Sequence, residues 1–194
     1  MNISTSWLRE WSDPKVSDTD LAEKLTMAGL EVDKIGPVAP DFEGVVVGEV
    51  VDCEKHPNAD KLSLCRVDIG NSSNLQIICG APNVRKGLKV AVATVGAVLP
   101  NNFKIKRAKL RGVESVGMIC SESEIGLSDE HEGIMELDSL APLGENLRKF
   151  LDLDENIIEL DLTPNRGDCF SILGVAREVC AIYDLALPKK DYRA

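Results

Sequence analysis

Five basic side chains crowd into the eight positions 104–111: Lys104, Lys106, Arg107, Lys109 and Arg111. Ammonium and guanidinium groups at that density suit a row of anions. A phosphodiester backbone is such a row, and contacts to it fix position without reading base sequence. Arg85, Lys86 and Lys89 precede the cluster, and no acidic residue stands between Asp68 and Glu114 to offset these eight charges. The sign then reverses, with fourteen carboxylates from Glu114 to Asp161 against Arg148 and Lys149. A net charge of −10 argues against nucleic acid when taken as an average; the segregation is the more informative feature. Concentrated positive charge is costly in self-repulsion unless an anion meets it. Two structural uses stay open beside RNA contact. The cations can form a solvated face paired with the acidic stretch, or a charged edge strand that blocks sheet-to-sheet pairing.

Polar residues beside the cations extend the candidate set. Ser115 and Ser121 can donate to a phosphate or a 2′-hydroxyl, and Gly112 and Gly117 permit close backbone approach. Asn83 ends the turn Cys79-Gly80-Ala81-Pro82-Asn83, just before Arg85 and Lys86. The loop His56-Pro57-Asn58-Ala59-Asp60 either faces a ligand or braces itself. Pro57 biases His56 to an extended backbone, and Asn58 and Asp60 can close local side-chain turns. Phe42 and Phe103 are the only aromatics from 39 to 148. Single-strand binders commonly use several stacking platforms, so recognition by shape and backbone is expected. Neutralising about five phosphates would give a log–log salt slope of about −3.5 to −4.5.

No catalytic set is present. There is no Gly-rich phosphate loop, and the two histidines, His56 and His131, lack a nucleophile partner. The six cysteines form no C-x-x-C pair and read as reduced core thiols. Cys53 and His56 have no second ligand pair, so neither zinc nor any other metal is expected. No apolar run approaches the ~20 residues of a membrane span, and the N-terminus lacks signal-peptide features. A cytoplasmic protein with no membrane partner is expected.

These residues need elements to position them. Aromatics make up 4% of the 194 residues, so Val, Ile, Leu and Ala must build the core, which favours β structure in the centre. Alternating or continuous apolar runs predict strands at 45–51, 62–69, 75–79, 88–95 and 104–110, with turns at 56–60, 70–74 and 80–83. Five short strands suggest a closed barrel of the OB type, which places its ligand on strands 2 and 3 and the adjacent loops. Upstream, Ser17 caps a helix ended by Gly29, followed by a strand at 30–35. Downstream, a strand at 157–162 precedes a helix capped by Asp168 or Ser171 and running to about Tyr183. Each flank is too small to bury a core alone. The expected architecture is mostly β with α: a five-stranded OB barrel at 39–148 inserted into a small α+β domain formed by 1–38 and 151–190, with a tail at 191–194.

Three strings occur in order: His56-Pro57-Asn58-Ala59-Asp60-Lys61-Leu62, Cys79-Gly80-Ala81-Pro82-Asn83, and Lys109-Leu110-Arg111-Gly112-Val113-Glu114-Ser115-Val116-Gly117-Met118. Together they resemble the tRNA-binding domain shared by bacterial phenylalanyl-tRNA synthetase β subunits, some methionyl-tRNA synthetases and free-standing tRNA-binding cofactors. The flanks, Trp7-Leu8-Arg9-Glu10-Trp11 and Thr163-Pro164-Asn165-Arg166-Gly167-Asp168-Cys169, are similar to those of the β subunit. The resemblance implies an N-terminal, non-catalytic fragment of a ligase. It further implies ATP and magnesium for the full enzyme, tRNA(Phe) and an α subunit as partners in a heterotetramer, and no DNA. A structural assembly module and a stand-alone cofactor remain the alternatives.

Overall fold

The computed structural model describes residues 1–129 and 132–189; His131 and the expected tail at 191–194 lie outside the described residues. The chain opens with β1 (Asn2–Ser4), α1 (Thr5–Trp11), α2 (Asp18–Met27) and β2 (Glu31–Pro37). Next come β3 (Glu43–Lys55), β4 (Ser63–Asp68), β5 (Leu75–Cys79), β6 (Lys89–Leu99), β7 (Phe103–Lys104), β8 (Ala108–Leu110), β9 (Val113–Ser115) and β10 (Gly117–Ile119). It finishes with α3 (Leu147–Phe150), β11 (Asn156–Asp161) and α4 (Ile172–Tyr183). Two compact units result: Ala39–Leu153, and Met1–Val38 together with Asp154–Ala194. Among the described residues no helix is long and apolar enough to cross a membrane.

The smaller unit is an antiparallel sheet in the order β1-β11-β2 with helices packed on it. Three serines start the helices by accepting backbone N–H bonds: Ser4 from Trp7 at 3.1 Å, Ser17 from Asp20 at 3.1 Å and Ser171 from Gly174 at 3.0 Å. Such caps satisfy donors that the first turn leaves open. Asp168 does not cap α4; it lies in the 3-10 turn Pro164–Cys169 and pairs with Arg166. Ile3, Ile158 and Leu160 supply the sheet face against Leu8, Leu21, Leu25, Val175 and Val179. β1 and α1 were not foreseen from the sequence. They are short, and their apolar residues are too few to show a period.

The larger unit is a curled antiparallel sheet of the OB type, with strands in the order β10-β6-β3-β4-β5 and β7 added beside β6. β3 and β6 are buried on both faces. Val45, Val47, Ala91 and Ala93 enter one core with Phe42, Leu99, Ile125 and Leu147. Val50, Val90 and Val92 enter the other with Val67, Ile77 and Ile119. Burial on both sides explains why these strands read as continuous apolar runs. β3 changes register between Val50 and Asp52, and such an irregularity bends a strand. Gly48 lets the sheet close tightly, because a Cβ there would lie 2.6 Å from Val92 Cγ2 and 2.9 Å from Val67 Cγ1. The open side is bridged where Val116 N–H donates to Gln76 O at 2.8 Å.

The single strand expected at 104–110 is not formed. Ile105 is buried and donates its N–H to Ala97 O at 2.8 Å, which pins the chain to β6. The chain then leaves β6, and Ala108–Leu110 pairs with Val113–Ser115 as a separate hairpin. One apolar residue, Ile105, thus divides the basic run in two. Cys65, Cys79, Cys120, Cys169 and Cys180 are buried, and Cys53 is partly buried.

Candidate nucleic-acid interface

Lys109 and Arg111 are presented by the β8–β9 hairpin, and Lys104, Lys106 and Arg107 by the segment before it. The hairpin register pairs Ala108 with Ser115, Lys109 with Glu114 and Leu110 with Val113. The two tip residues, Arg111 and Gly112, both have positive φ, 48° and 93°, as a type I′ turn requires. Glycine adopts this conformation freely, whereas an arginine there is uncommon.

The hairpin backbone is held from two sides. On one side stands the 56–60 loop. His56 is 5% exposed, and its Nδ1 accepts the Asn58 N–H at 3.1 Å. Nε2 therefore carries the proton and donates to Leu110 O at 3.2 Å, the tautomer following from the bond on the other nitrogen. Asn58 Nδ2 donates to Arg111 O at 3.1 Å. On the other side stands β5. Gln76 Nε2 donates to Glu114 O at 2.7 Å, and Ile78 N–H donates to Ser115 Oγ at 3.1 Å. The loop is thus a brace for the hairpin tip, and His56 was the residue whose role the sequence left undecided.

The charges sort into paired and unpaired. Arg107 lies 3.8 Å from Glu114, Lys89 lies 3.0 Å from Glu49, and Arg85 binds Glu136 at 2.8 Å. Lys86, Lys104, Lys106, Lys109 and Arg111 are exposed and make no ion pair among the described residues. The acidic stretch meets Arg107 through Glu114 and Arg85 through Glu136, but among the described residues it forms no ion pair with Lys86, Lys104, Lys106, Lys109 or Arg111. Its central part, from Cys120 to Leu153, instead packs apolar residues against β3 and β6.

Other expected contacts have structural duties. Ser115 is 3% exposed; besides accepting from Ile78 it donates to Gly117 O at 3.0 Å, and both bonds brace the buried backbone. Asn83 clips the 134–136 segment, donating to Ile134 O at 2.9 Å and accepting from Ile134 N–H at 2.9 Å. Arg85 and Glu136 hold each other charged: Glu136 raises the Arg85 pKa, and Arg85, with Asn83, holds Glu136 below the usual carboxylate range. Ser121 accepts the Glu124 N–H at 3.2 Å and closes a local turn. Its cleft, shared with Cys79, Ala81 and Ile134, also carries Glu124, whose charge repels phosphate. Lys104, Lys106, Arg107, Lys109 and Arg111 are each exposed, Lys104 before the buried Ile105 and the others after it. The structure places Asn83, Arg85 and Lys86 on the β5–β6 connection and Ser121 after β10.

In the smaller unit, Asp168, Cys169 and Glu178 offer ligand atoms within 4.8 Å of one another. The Arg166 guanidinium already fills the place of a cation, at 2.9 Å from Glu178 and 3.1 Å from Cys169 Sγ. The cluster is an ion-pair network and does not suit a metal.

The phenylalanine-tRNA ligase β subunit of Dickeya dadantii is 61% identical over 187 residues, which cover 96% of this chain and 24% of that protein. The β subunit of Acinetobacter baylyi is 56% identical over 194 residues, 100% of this chain and 24% of that protein. The chain thus spans about a quarter of the length of these curated relatives. Among solved structures, a MetRS-related protein from Pyrococcus horikoshii is 27% identical, covering 52% of this chain and 84% of that one at a TM-score of 0.38. A family model described as "Putative tRNA binding domain" matches residues 45–146, the span that contains the barrel strands and the basic hairpin. The chain belongs to that tRNA-binding-domain family.

Proposed function

We propose that the chain is the tRNA-holding part of a phenylalanine-tRNA ligase β subunit, gripping the RNA backbone with Lys104, Lys106, Arg107, Lys109 and Arg111. One observation carries this reading: a braced hairpin and the segment before it expose Lys104, Lys106, Lys109 and Arg111, which make no ion pair among the described residues, inside the span that matches the family. A backbone that spends an arginine in a left-handed turn adds support, since strained positions concentrate at functional sites. Lys86 is a secondary contact, and Asn83, Arg85, Ser115 and Ser121 keep the frame. The barrel at 39–148 does the holding, and segments 1–38 and 151–190 form the accompanying α+β domain. Aminoacylation of tRNA(Phe), with ATP and magnesium ions, belongs to the complete cytoplasmic enzyme with its α subunit.

The test is the affinity of tRNA(Phe) for the chain against salt concentration. Replacing Lys104, Lys106, Lys109 and Arg111 by Ala is expected to weaken binding and to make the log–log slope shallower by about 3. An unchanged slope and affinity would reject this surface.

A second reading, an assembly module for other parts of the synthetase, draws on the exposed Met27, Phe170 and Trp7 of the smaller unit, at 80%, 61% and 53%. It predicts capture of the α subunit and no RNA protection in footprinting.

A further inference from the structure

The two aromatics of the barrel region have opposite fates. Phe42 is 3% exposed in the core, with the Arg148 guanidinium 4.9 Å from its ring centre. Phe103 is 59% exposed at the start of β7. An isolated exposed apolar side chain needs no explanation, but the surroundings of Phe103 are specific.

It forms an open cleft with Pro100, Asn101, Asn102, Lys104 and Lys106. The backbone under it is fixed. Phe103 N–H donates to Pro100 O, and Phe103 and Lys104 pair with Leu99 and Val98 of β6. Ile105 then anchors the segment, donating to Ala97 O and accepting the Gly96 N–H at 2.9 Å. A flat ring on a rigid strand loses little freedom when a second ring covers it. Asn101 and Asn102 both have positive φ, 61° and 58°. They are exposed, and their amides, each with donors and an acceptor, have no partner among the described residues. Lys104 and Lys106 are likewise exposed and without an ion pair among the described residues. Asp41 and Glu43 lie on the other flank of the same loop, in the cleft shared by Pro100, Asn101 and Asn102. The potential therefore runs from negative to positive across Phe103.

We propose that Phe103 is a stacking platform for an unpaired RNA base. The ring covers the face of the base, the Asn101 and Asn102 amides meet its edge, and Lys104 and Lys106 meet the adjoining phosphates. The strand runs on toward the β8–β9 hairpin and away from Asp41 and Glu43. Every base has a π-face, so the platform tolerates sequence while requiring a single-stranded segment. This inference rests on the RNA-holding reading of the barrel but adds to it: cations alone do not distinguish paired from unpaired RNA, whereas a stacking ring does.

The probes are a 12-nucleotide oligouridylate and a duplex RNA of equal charge, bound to the chain at several salt concentrations. Phe103→Ala is expected to weaken oligouridylate binding ~10-fold, within the range for loss of one stacked base. Duplex binding and the salt slope stay unchanged, because no charge is removed. Phe103→Leu is expected to lose as much as Phe103→Ala. Phe103→Trp is expected to keep the affinity and to show fluorescence quenching beyond that of Trp7 and Trp11 in the parent chain. An unchanged thermal midpoint for Phe103→Ala shows that its fold survives. Wild-type oligouridylate affinity in Phe103→Ala or Phe103→Leu overturns the platform; if the four-cation variant still weakens, the RNA-holding reading stands without it. Normal RNA binding by Phe103→Ala together with lost capture of the α subunit overturns it in favour of a protein contact. Absence of RNA binding by the parent chain removes both readings.

Discussion

At the scale of single residues, most polar side chains of the barrel serve other parts of the protein. His56 uses both ring nitrogens, one for Asn58 N–H and one for Leu110 O. Ser115 joins Ile78 to Gly117. Leaving such buried groups unpaired costs about 1–3 kcal/mol. His56→Ala is therefore expected to lower stability in urea by that amount and to speed hydrogen exchange in 108–115. tRNA binding should weaken while the salt slope holds, because no phosphate contact is removed. Protection factors for 108–115 equal to those of the parent would show that the loop does not brace the hairpin. Residue type alone does not separate a brace from a contact. Serine and asparagine near lysines suit either role, and burial with full hydrogen bonding decides.

At the scale of elements, the hairpin tip trades conformational comfort for charge. Type I′ turns favour Asn or Gly at both central positions, yet Arg111 occupies the first at φ 48°. Arg111→Gly is expected to raise the thermal midpoint, since a left-handed L-residue costs roughly 1–2 kcal/mol. The same change should reduce tRNA affinity and make the salt slope shallower by about 1. A variant that gains no stability would contradict the account of the turn; one that keeps its slope would remove Arg111 from the phosphate contacts. Gly112→Ala acts in the opposite direction on stability, because its φ of 93° suits glycine.

At the scale of the whole molecule, the carboxylates of the smaller unit make its stability depend on acid. Hydrogen bonds from Lys15, reinforced by Arg9, lower Asp13 to about 2. Partial burial would raise Asp18 and Glu155. Hydrogen bonds from Arg9 and Asn156 to Asp18, and from Ser4 and Ser6 to Glu155, outweigh that and leave both below the usual range. A carboxylate with a lowered folded pKa adds stability that is complete above its unfolded value of about 4. That stability is lost as pH falls through the folded value, so the window for Asp13 runs from about 4 down to about 2. The urea midpoint of the parent chain is expected to fall across this window. Asp18→Asn should start lower at pH 6 and fall less. A midpoint that rises on acidification would contradict the assignment.

Local pattern was enough to read much of this protein. Apolar alternation located Leu75–Cys79 as a strand, and Ser17 and Gly29 marked the ends of Asp18–Met27. Charge density along the chain singles out Lys104, Lys106, Arg107, Lys109 and Arg111. These features depend on neighbours within a turn or two of chain. Long-range contact decided the rest. Burial of Ile105 split the basic run, pairing with Val113–Ser115 made its second half a hairpin, and the distant 56–60 loop fixed the tip of that hairpin. Packing likewise buried Phe42 in the core with Val45, Leu99 and Leu147 and left Phe103 in solvent. Such outcomes depend on which strands meet and which faces are covered, and a linear pattern of residue types carries no record of either.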